Sequence, residues 1–119
     1  MLDSFWYLSS PYSKYGGGIE DAAQQASRAA ALLTKAKIPV FSPIAHSHAL
    51  AMAGGIDPKD HAIWLPADEP FMRLAHGLIV LRMTGWRESH GINEELKVFR
   101  AAKKPIVFMD PGRVPEELL

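Results

Sequence analysis

The chain predicts a small doubly wound α/β fold, Rossmann-like or flavodoxin-like, with a parallel sheet and helices on both faces. Three observations carry that expectation. Short apolar runs alternate with helical segments along the chain, the pattern of a parallel sheet with crossover helices. The clearest run, Gly77-Leu78-Ile79-Val80-Leu81, has no polar position, as a strand covered on both faces requires. The 119 residues, 48% of them apolar, suffice for one buried core without disulfides or a structural metal, so a single domain over 1–119 is expected.

Ser4 to Ser9 is aromatic and apolar on both faces and predicts the first strand. Ser10 to Gly18, with Pro11 and a glycine triplet, predicts a loop. Ile19 to Lys37 is rich in alanine and glutamine and carries Glu20 and Asp21 in its first turn, which suits a long helix. Ile38 to Phe41 predicts a second strand that starts or edges at Pro39. From Ser42 to Ala67, Pro43, Gly54-Gly55, Pro58 and Pro66 predict short helical pieces at best. Glu69 to Ala75 predicts a helix, with Asp68 as its N-cap ahead of Pro70. The strand 77–81 follows, then a loop over Thr84 to Arg87. Ser89 to Lys103 is the most amphipathic helix, and Pro105 to Met109 a fourth strand. The last residues predict a small terminal helix. In such folds ligands bind beyond the carboxyl ends of the strands, at the switch point in strand order.

Composition narrows the function. Without cysteine there is no disulfide scaffold, thiolate zinc site or cysteine nucleophile. Thirteen basic and thirteen acidic residues leave no basic excess for a nucleic-acid polymer, though a small anionic ligand held by local donors fits. Met1 to Ser10 has no basic leader region, and no apolar run approaches a membrane span. A cytoplasmic protein with no membrane partner is the expectation.

A helical wheel separates two adjacent glutamates. With Ile92 at zero and about 100° per residue, Leu96 and Phe99 flank zero, Glu95 falls at about −60° within the apolar arc, and Glu94 falls about 160° away from zero. A carboxylate on a buried face is costly unless it is paired or functional. Glu95 therefore either carries chemistry or escapes at the helix edge, for instance to Arg87. Gly91, one turn earlier on the same side, would let a ligand approach the backbone. The loop from Ser9 to Gly18 lies where anions bind, between a strand and a helix start, although it is neither GxGxxG nor a P-loop. His46-Ser47-His48 invites a metal reading with Asp60 or His61. Positions two apart diverge on a helix, however, so no metal site is expected. No Gly-x-Ser-x-Gly elbow supports a serine hydrolase. Trp86 is the tryptophan placed at the ligand end.

The order of these pieces is familiar. Tyr7-Leu8-Ser9-Ser10-Pro11-Tyr12-Ser13, the alanine-rich helix, Phe41-Ser42-Pro43-Ile44, Asp68, Ser89-x-Gly91-x-x-x-Glu95-Leu96 and Lys104-Pro105-Ile106 follow one another. This order resembles the nucleoside 2-deoxyribosyltransferase superfamily, including its nucleotide N-hydrolase branch, and most closely small bacterial proteins with a domain of unknown function. The resemblance covers nearly the whole chain. It implies cleavage or transfer of the N-glycosidic bond of a nucleoside or nucleoside 5′-monophosphate, with no cofactor. Glu95 would be the nucleophile at the anomeric carbon. Asp68 would assist protonation of the departing base or orient the sugar, and Tyr7 would position the nucleophile or the sugar. Ser89 and the backbone at Gly91 would bind a sugar hydroxyl or a 5′-phosphate. Ser9, Ser10, Tyr12, His46 and Trp86 complete the expected substrate contacts. Where the superfamily has an acidic residue and a small residue, this chain has His76 and Lys97. Those departures motivate an alternative, a non-catalytic nucleotide-binding or sensing module. A homo-oligomer is expected in either case, because a small open sheet often completes its pocket with a neighbour.

Overall fold

The computed structural model describes residues 3–119; Met1 and Leu2, the start of the segment read above for leader character, lie outside them. Four parallel strands form one sheet: β1 (Trp6–Ser9), β2 (Val40–Phe41), β3 (Gly77–Leu81) and β4 (Ile106–Met109), in the order β2-β1-β3-β4. Four helices accompany them: α1 (Ile19–Lys35), α2 (Pro43–Gly54), α3 (His61–Leu74) and α4 (His90–Ala101). The fold is the expected Rossmann-like α/β fold. β1 and β3 are neighbours in the sheet, with Tyr7 opposite Leu78 and Ser9 opposite Val80. The order reverses at that pair, so the switch point lies where the chain leaves Ser9 and Leu81.

Alternation along β1 decides which residues reach the site. Trp6 and Leu8 join Ile79, Leu81, Val107 and Met109 in a core covered by α1, whose Ala22, Ala23, Ala29 and Leu33 pack close. Tyr7 points the other way, into a core shared with Leu78, Val80 and the α4 residues Ile92, Leu96 and Phe99. Ser9 follows Tyr7 by two, so it faces α4 as well. Gly77 allows β3 to approach its neighbours: a Cβ there would lie 2.6 Å from the Pro105 carbonyl oxygen and 2.6 Å from the Trp6 ring.

Two stretches differ from the sequence reading. Ser42 to Gly54 is one regular helix rather than fragments. Ser42 caps it by accepting from the Ala45 backbone N–H at 3.1 Å, Pro43 occupies the first turn, where a missing N–H costs nothing, and Gly55 ends it in the left-handed conformation. Asp68 is not an N-cap. That role belongs to Asp60, which accepts from Ala62 N–H at 3.1 Å, and α3 runs on through Pro66 and Pro70. The two prolines leave the carbonyls of Ala62 and Pro66 without their helical donors, a cost that tertiary anchoring offsets. Phe71 stacks on Phe41 at 4.0 Å and 9°, and the Trp64 indole donates to the Asp57 carbonyl at 2.9 Å. Lys104 donates to the carbonyls of Met72 and Arg73 in the last turn. The helices at both margins are shorter than predicted: α1 stops at Lys35, and α4 starts at His90 with Ser89 as its cap. Thr84 to Arg87 carries a short 3₁₀ turn (Trp86–Glu88), and the terminal helix is another (Glu116–Leu118). Among the described residues no helix is long and apolar enough to cross a membrane.

Candidate active site

A cavity of about 940 Å³ opens at the switch point, beyond the carboxyl ends of β1 and β3. The loop Ser10 to Tyr15 forms one wall, α2 and α3 a second, and the start of α4 a third. Its most unusual feature is the Glu95 carboxylate. α4 buries Ile92, Leu96 and Phe99 against the sheet, and the same face carries Glu95 inward while Glu94 stays exposed. This is the division the wheel predicts. The partner of Glu95 is not Arg87, whose guanidinium lies over the Trp86 ring at 5.2 Å. It is Ser9, fully buried at the end of β1, whose Oγ donates to Glu95 Oε1 at 2.5 Å.

Three groups set the charge of Glu95. Burial pushes its pKa up to about 7, and the nearby Asp68 charge adds to that rise. The Ser9 hydrogen bond and the Tyr7 hydroxyl act against it by favouring the ionised form. Tyr7 Oη is buried against the carboxylate, but among the described residues it meets full hydrogen-bond geometry with no group. Burial first, then the charges of Glu95 and Asp68, hold that phenol in its neutral, donating form far above the ordinary tyrosine range. Ser10 Oγ, also in the cavity wall, is likewise buried without a partner.

Asp68 reaches the cavity from the middle of α3. Trp64, Asp68 and Met72 recur every four residues and share one face of the helix, and all three line the cavity. Burial raises Asp68 to about 6, while the His46 imidazole pulls it back. The site thus holds two carboxyl groups with pKa values lifted toward neutrality, the condition under which one acts as acid and the other as base or nucleophile.

The remaining candidates divide. Tyr7, Ser10, Tyr12, Ser89 and Gly91 line the cavity. A Cβ on Gly91 would meet only the Ser89 Oγ, at 4.0 Å, so the space over that backbone is open. The Ser89 hydroxyl caps α4 by accepting from Ile92 N–H at 3.3 Å. The Ser9 hydroxyl is spent on Glu95 rather than turned to the cavity. His46 stands exposed beside Phe41 and touches the site through its field on Asp68. Trp86 packs against Phe108 and borders, with Arg82 and Arg87, a hollow of about 370 Å³ that adjoins the cavity at Gly85 and Glu88. Arg82 is bound there to Asp110, its Nε and Nη2 each 2.9 Å from Oδ1.

Some site residues escape the sequence reading. His48 shares a hydrogen bond with Tyr12 Oη at 2.7 Å and faces Glu20 at 3.7 Å, pinning the loop to α2 and α1. Tyr15 donates to Asp21, and Gln25 donates to both. These links join segments through tertiary structure and leave no local signal. The spacing of Trp64, Asp68 and Met72 is a signal, masked by the prolines between them. The departures at His76 and Lys97 stand away from the cavity. His76 is exposed at the start of β3, edge-on to Trp6, and Lys97 pairs with Glu94 on the surface at 3.2 Å. Among the described residues no group of three or more His, Cys, Asp or Glu side chains is placed to hold a metal ion.

Fold and site together define a Rossmann-like α/β protein with a carboxylate on the floor of an open cavity. The chain belongs to the family described as Domain of unknown function (DUF1937), which matches residues 4–111. No curated protein matches it.

Proposed function

We propose that the protein cleaves or transfers the N-glycosidic bond of a deoxynucleoside or its 5′-monophosphate, as a member of the nucleoside 2-deoxyribosyltransferase superfamily. The observation that carries this reading is Glu95 itself. It is a partly buried carboxylate on a cavity floor, oriented through one oxygen by Ser9, beside an unpartnered tyrosine hydroxyl and opposite a second raised carboxyl group. A purely structural glutamate gains nothing from that placement.

The chemistry is that of retaining glycoside transfer. Ser9 holds Oε1, leaving Oε2 of ionised Glu95 to attack the anomeric carbon. The carbon–oxygen bond forms as the carbon–nitrogen bond breaks, and its electron pair leaves with the base. Protonated Asp68 gives its proton to that nitrogen. Water, or the nitrogen of a second base, then attacks the anomeric carbon of the glycosyl ester. The incoming proton returns to Asp68, and the Glu95 carboxylate is restored. Burial brings both groups near neutrality, Glu95 to about 7 and Asp68 to about 6, so the pair shares one proton there. The reactive form, with Glu95 ionised and Asp68 protonated, is the minor one, roughly a tenth of the singly protonated pair, and its carboxylate is the better nucleophile for being more basic.

The test is a panel of deoxynucleosides and their 5′-monophosphates, with free base followed by chromatography. The wild-type protein releases base, and Glu95→Gln loses that release by several orders of magnitude. Comparable release by the variant contradicts the mechanism. Tight binding with no product over long incubation favours the non-catalytic module instead.

A further inference from the structure

Resting on the glycosidic reading of the site, we propose that the cavity selects an unphosphorylated nucleoside, with Glu88 and Glu94 at its α4 rim as the residues that turn a 5′-phosphate away. The ionisable groups on the walls are strongly unbalanced. Four carboxyl groups line the cavity, Asp68, Glu88, Glu94 and Glu95, against one lysine, Lys14, and the imidazoles of His61 and His90. None of the six arginines lines it. The two that lie nearest in sequence to its rim are committed elsewhere, Arg82 to Asp110 and Arg87 to the face of Trp86.

A phosphate monoester brings nearly two negative charges at neutral pH and is ordinarily met by arginine or lysine. The start of α4 offers backbone N–H groups and the positive end of a helix dipole. Glu88 directly precedes that terminus and Glu94 follows in its second turn, so their charges oppose an anion there. Lys97, 3.2 Å from Glu94, offsets only one of them. The groups on the walls that lack a partner are neutral hydroxyls instead, Tyr7 Oη and Ser10 Oγ, both more than nine-tenths buried. Such groups pair with the hydroxyls and ring nitrogens of an uncharged nucleoside. The raised pKa values of Glu95 and Asp68 agree, since no lysine or arginine is among the groups that shift either.

The experiment compares one deoxynucleoside with its own 5′-monophosphate, by kcat/KM and by calorimetric binding, at low salt and at about 1 M salt, where screening contracts to about 3 Å. The nucleoside is favoured by about tenfold or more at low salt, and the preference shrinks at high salt. The double variant Glu88→Gln, Glu94→Gln shifts the ratio severalfold toward the monophosphate. A monophosphate preferred or equal at low salt overturns the selection while leaving the glycosidic reading intact. So does a nucleoside preference that neither salt nor the double variant moves. If neither compound is cleaved, the glycosidic reading fails, and the binding ratio still decides the selection. If neither binds, both fail.

Discussion

Ser9 ends β1 and donates its hydroxyl to Oε1 of Glu95, 86 residues further along the chain, at 2.5 Å. This contact joins the central strand to α4 and orients the carboxylate on which the proposed chemistry depends. It exists because β1 turns every second side chain toward α4, and because α4 rolls Glu95 with its apolar face toward the sheet. Removing the hydroxyl leaves the carboxylate buried with one donor fewer. In Ser9→Ala the pKa of Glu95 therefore rises further, and the limb of the activity–pH profile that reports its ionisation moves to higher pH. A profile that falls in height without moving would show that Ser9 does not tune Glu95.

Stability follows the same charge. Glu95 titrates near 4.5 when unfolded and at about 7 when folded, so the folded protein binds the extra proton between those values. With more protons on the native state, stability falls as pH rises through that window. It is fully present below about 4.5 and lost above about 7, an effect of about 3 kcal/mol for this group. Asp68, lifted from 3.8 to about 6, contributes in the same direction. Urea unfolding at pH 8 and pH 5.5 should show lower stability at pH 8, and Glu95→Gln should flatten the difference and stabilise the protein at pH 8. An unchanged slope in the variant would mean that Glu95 is not the titrating group.

Gly91 separates binding from folding. A methyl group there points into open space, and alanine in the first turn of α4 is a better helix former than glycine. Gly91→Ala should keep or raise the melting temperature while weakening substrate binding, seen as a higher KM. A variant with unchanged KM would remove Gly91 from the binding surface.

Gly77 makes the opposite case. The Pro105 carbonyl and the Trp6 ring leave no room for a Cβ, and the carbonyl belongs to backbone that cannot turn aside. Gly77→Ala should cost about 1–3 kcal/mol in urea unfolding. A neutral outcome would mean that β3 and the segment before β4 separate more easily than their packing suggests.

The strands and α4 were legible because their signals are local. Apolar runs without polar interruption read as covered strands, and the 3.6-residue period of Ile92, Leu96 and Phe99 placed Glu95 inward and Glu94 outward. The region from Ser42 to Leu74 was not legible for a physical reason. Proline is a stop signal only where tertiary contacts do not oppose it. Pro43 sits at a helix start, where it is favourable, and Pro66 and Pro70 are carried by the Phe71–Phe41 stack and the Lys104 bonds to the last turn. Asp68, two residues before Pro70, reads as an N-cap, whereas it stands in the middle of α3, which begins seven residues earlier at His61. Ser9 reads as a ligand contact by its place at the strand end, whereas its partner is Glu95, a side chain brought to it by the fold. The Tyr12–His48 bond links residues 36 apart, and nothing in either segment announces it.

The proposed chemistry stands or falls on one covalent bond. Wild-type protein quenched in acid during turnover of a deoxynucleoside, then digested and measured by mass spectrometry, should carry one deoxyribosyl unit on the peptide containing Glu95. Glu95→Gln should carry none. Base released by the wild-type protein with no such adduct at any quench time, or with the adduct on another residue, would contradict Glu95 as the nucleophile.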